Sequence, residues 1–103
     1  MGKLEQNKAL DLVKKALMIP TSETFADEEL KVHIEGCKEL LISAGAPKEV
    51  ADSDSPLVQG LIIIYVKTYY GFKSDGSVKE LPPSFDMLLR QLVLSSGGIK
   101  DVS

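Results

Sequence analysis

The chain has no tryptophan and only three tyrosines and three phenylalanines in 103 residues. With so few rings, its core has to be mostly aliphatic. Cysteine and histidine occur once each, at Cys37 and His33. A lone thiol excludes an intramolecular disulfide and fits a reducing compartment. No apolar run reaches the ~20 residues of a membrane span. The opening stretch 1–7 lacks the apolar core of a signal peptide. Met1-Gly2 begins like a myristoylation signal, but Gln6 stands where that motif needs Ser or Thr. Basic charge is not in excess either. Twelve Lys and Arg against 15 Asp and Glu leave a net charge of −3, whereas a dedicated DNA- or RNA-binding domain usually carries a basic face. Lys14-Lys15 is the only adjacent basic pair, and on a helix it reads as a solvated face. No Gly-rich phosphate loop, Ser-nucleophile elbow or zinc-protease motif is found.

What is present is a single helical domain. The length suits one domain with one modest core, and a hydrophobic content of 44% argues against disorder of the whole chain. Four helical patterns are separated by Pro- or Gly-marked breaks, and no period-2 strand pattern stands out. The first covers about 4–17, with Ala9, Leu10, Val13, Ala16 and Leu17 at helical spacing and Lys8, Asp11, Lys14 and Lys15 on the other side. Pro20 bounds it. The second covers about 27–44, where Leu30, Ile34, Cys37, Leu41 and Ala44 form a narrow apolar seam. Glu28 and Glu29 suit its positive end, and Gly45 followed by Pro47 stops it. Segment 52–55 reads as a polar connector.

The third pattern, about 56–70, is the most telling. Ser55 can cap it and Pro56 fits the first helical position. Leu57, Val58, Leu61, Ile62, Ile63, Ile64, Tyr65 and Val66 then make it apolar nearly all round, and Gly71 can supply the left-handed end. Such a helix is enclosed by protein, in part by other subunits if its own domain is too small. A turn-rich loop follows, with Asp75-Gly76 at its tip. The fourth pattern follows Pro82-Pro83, with Ser84 as a candidate cap and Phe85, Leu88, Leu89 and Leu92 as the apolar face. The expected fold class is all-α: a small four-helix bundle over residues 1–94 with a central buried helix. The Gly- and Ser-rich segment 95–103 is expected to be a flexible tail. The expected core is Leu30, Ile34, Cys37, Leu41, Leu61, Ile62, Tyr65, Phe85, Leu88, Leu89 and Leu92.

Chemistry is hard to find. His33 and Cys37, four apart, could begin a zinc site, but a structural site needs four ligands. As a nucleophile pair they would need an orienting acid and an oxyanion site. On the seam, Cys37 reads as a small hydrophobe. Asp52, Asp54 and Asp75 lack the Gly and closing Glu of a calcium loop and read as caps and solubilising charges. Tyr65, Tyr69 and Tyr70 beside Lys67 could stack on bases, but their Ile and Val neighbours point to core or interface packing. No catalytic constellation, cofactor site or metal site is expected.

The order of features is more specific than any one of them. Leu10-Asp-Leu-Val-Lys-Lys-Ala-Leu17 is followed by the helix from Asp27 to Gly45, then Asp54-Ser-Pro-Leu-Val58. Leu61-Ile-Ile-Ile-Tyr-Val-Lys-Thr-Tyr-Tyr-Gly-Phe72 and Ser84-Phe-Asp-Met-Leu-Leu-Arg-Gln-Leu92 complete the series. Over roughly 4–94 this resembles the head–tail connector (adaptor, or head-completion) proteins of tailed bacteriophages and prophages, also called DNA-packaging proteins. The resemblance implies a structural virion protein at the head–tail junction, held in the bacterial cytoplasm before assembly. It would form a ring under the portal after DNA packaging and give the tail a platform. Its partners would be copies of itself, the portal protein and tail or head-completion proteins. DNA would pass through without sequence-specific binding, and an acidic balance suits that passage. No catalytic residues, cofactor or membrane contact come with the family. The loop carrying Lys73, Ser74, Asp75, Gly76, Ser77, Val78, Lys79 and Glu80 is the candidate subunit contact, with the C-terminal tail. The alternative reading is a helical DNA-binding or regulatory domain of a packaging system, for which the fourth helix offers only Arg90.

Overall fold

The computed structural model describes residues 2–70 and 80–96, with side chains from Lys8 onward. Five helices follow one another: α1 (Gly2–Ala16), α2 (Asp27–Ser43), α3 (Lys48–Ala51), α4 (Pro56–Tyr69) and α5 (Pro83–Ser95). Strands are absent among the described residues.

Helix α4 is central: α1, α2 and α5 all pack against it. It starts where the chain has local reasons to start. The Ser55 hydroxyl oxygen accepts the Val58 N–H at 3.2 Å, and Pro56 occupies the first turn, where its missing N–H costs no hydrogen bond. Val58, Leu61, Ile62 and Val66 are buried. Ile63, Ile64 and Tyr65 are only half-buried, so α4 is enclosed on most sides but not all. Gly60 lies on its more open flank, where an added Cβ would meet nothing within 4 Å.

Helix α2 supplies the facing wall through Leu30, Ile34, Cys37 and Leu41, all at most 2% exposed. Ala44, the last member of the expected seam, is the exposed C-cap. On the same wall, Gly36 makes room for a ring of α4. A Cβ there would stand 3.2 Å from the Tyr65 hydroxyl oxygen.

Helices α1 and α2 end in the same way, with different residues. After α2, the Ala46 N–H reaches the Leu41 carbonyl and the Gly45 N–H the Ile42 carbonyl, both at 3.0 Å. Gly45 takes φ 121°. This is a Schellman ending with the glycine it favours. After α1, the Ile19 N–H reaches the Lys14 carbonyl at 2.8 Å and the Met18 N–H the Lys15 carbonyl at 3.1 Å. Here the left-handed residue is Met18, at φ 63°. Helix α1 therefore ends before Pro20 is reached.

Several sequence expectations need correction. The bundle has a fifth, one-turn helix, α3, in a stretch read as a break and connector. Pro47 opens it and its Ala51 is fully buried. One turn is too short to show a hydrophobic period. Helix α5 is capped by Pro82, not Ser84: Pro83 fits the first helical position, and the Pro82 carbonyl accepts the Phe85 N–H at 2.9 Å. Tyr65, Leu88 and Leu89 are half-buried and pack against the core from its edge, and Val93, not among the expected core residues, is buried as well. Val93 packs beside Gly45, where an added Cβ would lie 3.3 Å from one of its methyl groups. Ser95 closes α5 and Ser96 is its C-cap. The remainder of the expected tail, 97–103, and Gly71 lie outside the described residues.

Two stability outcomes follow. Leu61, fully buried, should lose ~2–5 kcal/mol on Leu61→Ala in chemical denaturation, the range for a buried leucine; a loss below about 0.5 kcal/mol would remove α4 from the core. Met18→Gly should act oppositely. Relief of the left-handed strain, about 1–2 kcal/mol, exceeds the roughly 0.4–1 kcal/mol of added unfolded-state freedom. A net gain of about 0.5–1 kcal/mol is expected in the same measurement.

Candidate interaction surface

The interior holds little chemistry. Cys37 is fully buried on the α2 seam, and burial pushes its thiol up to about 12, with the Lys38 charge opposing part of that shift. The thiolate is the reactive form, so this sulfur is held inert. His33, one turn earlier, sits 3.6 Å from the Glu29 carboxylate on the outer side of α2. Among the described residues no group of three or more His, Cys, Asp or Glu could hold a metal ion. The tyrosines pack instead. Tyr65 and Tyr69 meet edge to face with centroids 4.9 Å apart, and Tyr65 lies 6.3 Å from Phe85. Burial raises the Tyr65 phenol above its ordinary value.

The polar residues tie the connections down. Lys14, read from the sequence as part of a solvated face, is 2% exposed. Its ammonium donates to the Thr21 carbonyl at 3.1 Å and lies 2.9 Å from Asp27 Oδ1. That oxygen is buried without an aligned hydrogen-bond donor, so the contact is one of charge. The pair adds little net stability, because desolvation offsets its attraction. What it does is fix the segment between α1 and α2 to both helices. Lys38, also buried, reaches Asp52 at 3.6 Å, and Asp52 accepts from Lys48 at 3.0 Å. That hydrogen bond raises the Lys48 ammonium. Lys8 donates to Asp54 at 3.0 Å across the surface, which lowers the Asp54 carboxyl. Asp52 and Asp54 are thus fasteners between helices.

The surface is where the molecule offers something to others. Met18 is 90% exposed, Phe25 74%, Met87 69%, Val32 67% and Leu94 63%. Single exposed apolar residues are ordinary, as Met87 on α5 is, but the other four fall in two stretches of the chain. Met18 and Phe25 lie in the pinned segment 17–26, with Val32 early on α2. Leu94 borders an open groove of about 400 Å³ between the end of α2 and α5, lined by Ala44, Asp86, Leu89, Arg90, Val93 and Leu94. The sequence reading missed both places. Met18 and Phe25 sit in a connection, outside any apolar period. The groove needs residues from two helices far apart in the chain. Of the expected contact loop, Lys73, Ser74, Asp75, Gly76, Ser77, Val78 and Lys79 lie outside the described residues, and Glu80 is exposed just before Pro82.

No described helix is long and apolar enough to cross a membrane. The family model for phage connector proteins matches residues 9–98, most of the chain. The chain therefore belongs to the phage connector protein family, a family of structural proteins. No curated protein and no solved structure matches it.

The state of Cys37 can be checked directly. At pH 8 a thiol reagent should label the native protein about a hundredfold or more slowly than the unfolded chain. Rapid native labelling would show that the α2 seam opens readily.

Proposed function

We propose that this protein is a structural head–tail connector. In this reading identical copies form a ring beneath the portal after DNA packaging, continue the DNA channel and present a platform to the tail. Family membership over residues 9–98 is the observation that carries the proposal. A small helical domain whose large apolar side chains stand exposed is suited to a protein completed by its neighbours. A ring of identical subunits needs a heterologous interface, in which one face of each copy meets a different face of the next. The loop 73–80 and the segment beyond Ser96 are proposed to add contacts to a neighbour, the portal or the tail. A net charge of −3 suits a channel that lets DNA slide without gripping its phosphates. On α5 the one arginine, Arg90, lies 3.3 Å from Asp86, which gives a DNA-reading role little support.

Complementation tests the proposal. A phage lacking this gene should accumulate DNA-filled heads without tails, seen by electron microscopy, and the intact gene should restore complete particles. A chain ending at Ser96 should still fold by circular dichroism but restore fewer of them. Normal numbers of infectious, tailed particles without the gene would refute the connector role.

A further inference from the structure

We propose that the interface between copies is made by the segment joining α1 to α2, which seats Met18 and Phe25 in the groove between α5 and the end of α2 of a second copy. This rests on the reading that identical copies assemble.

The first ground is an unusual local choice. Met18 holds a left-handed backbone at φ 63°, a conformation that glycine adopts without strain. The chain instead carries a long apolar side chain there, 90% exposed. Its own fold gains little from that side chain. Phe25, a large ring in a core poor in rings, is 74% exposed in the same segment. Nor is the segment loose. Lys14 holds the Thr21 carbonyl and the Asp27 carboxylate, and Ala26 is buried. Two apolar side chains are therefore presented outward on a fixed support, which lowers the ordering cost of docking.

The second ground is the receiving surface. The groove is lined by the apolar Ala44, Leu89, Val93 and Leu94 and by the charged Asp86 and Arg90. Arg90 keeps 78% of its side chain exposed, and its pair with Asp86 is a surface one, readily exchanged. The docking segment and the first turn of α2 carry the exposed acids Glu23 and Glu28, either of which can take the place of Asp86 on that arginine.

The third ground is placement. Phe25 and Ala26 precede the first turn of α2, whereas Ala44 caps its last. Seventeen helical residues put these ends about 25 Å apart. No copy can fill its own groove with its own Phe25. Two copies joined in this way meet head to tail, and repetition yields a closed ring or an open filament, according to the angle between successive copies.

The test uses the full chain. Met18→Cys in one preparation and Leu94→Cys in another place a thiol on each side, with the native Cys37 buried and silent. Under mild oxidation at high protein concentration, the mixture should give crosslinked heterodimers and each variant alone almost none. A chain carrying both changes should give a ladder of dimers, trimers and larger species. Symmetric dimers of either single variant, a disulfide closed within one chain or no crosslink at all would overturn the assignment. Met18→Gly adds a readout that misfolding cannot mimic. It should raise the unfolding midpoint yet weaken self-association, measured by sedimentation, about tenfold or more. Unchanged association in that variant would also overturn it. If crosslinking fails while the intact gene still restores tailed particles, this interface falls and the connector role stands.

Discussion

The seam between α2 and α4 is the constraint on which the other elements depend. Leu30, Ile34, Cys37 and Leu41 on one helix face Leu61, Ile62 and Val66 on the other, all essentially without solvent contact. Gly36 lets the Tyr65 ring lie against α2, and that ring then touches Tyr69 and Phe85. Helix α5 is thereby fixed to α4 by rings as well as by aliphatic packing. Helix α1 closes the other side with Leu10 and Val13. A domain this small has no second core to fall back on, so a fault in the seam is a fault in the whole molecule.

Around this seam, charge acts as positioning rather than as chemistry. Lys14 and Lys38 bring ammonium groups into nearly dry surroundings, and each meets an aspartate at a helix end, Asp27 at the start of α2 and Asp52 at the C-cap of α3. The aliphatic stems of lysine pack like any apolar side chain while the heads reach a fixed partner. This explains how a chain with long irregular connections holds them in place without disulfides. It also explains why surface and interior lysines look alike in the sequence. Lys14 and Lys15 are adjacent and identical, yet one is buried and the other exposed. The difference lies in Asp27 and Thr21, which the spacing of lysines cannot reveal.

The legible parts were those with a period or a stop signal. The four long helices, the Ser55-Pro56 start and the Gly45 ending follow from local rules that act over a few residues. The aliphatic members of the α2 and α4 seam follow from helical spacing. What stayed hidden depends on contacts between distant segments. Helix α3 is a single turn held by its neighbours, Val93 packs beside Gly45 from a distant segment, and the groove exists only where α5 passes the end of α2. Met18 and Phe25 carry no pattern because they sit in an irregular connection, outside any helical period. The resemblance to connectors came from the order of features, and the family match over residues 9–98 agrees with it.

The distribution of rings has a spectroscopic consequence. With tryptophan absent, the three tyrosines dominate absorbance and fluorescence near 280 nm. All three, Tyr65, Tyr69 and Tyr70, fall at the last turns of α4, and two of them are in mutual contact and beside Phe85. The near-ultraviolet signal of the protein is thus a local gauge of one end of one helix. It reports whether α5 remains seated there, and it is nearly blind to events around α1.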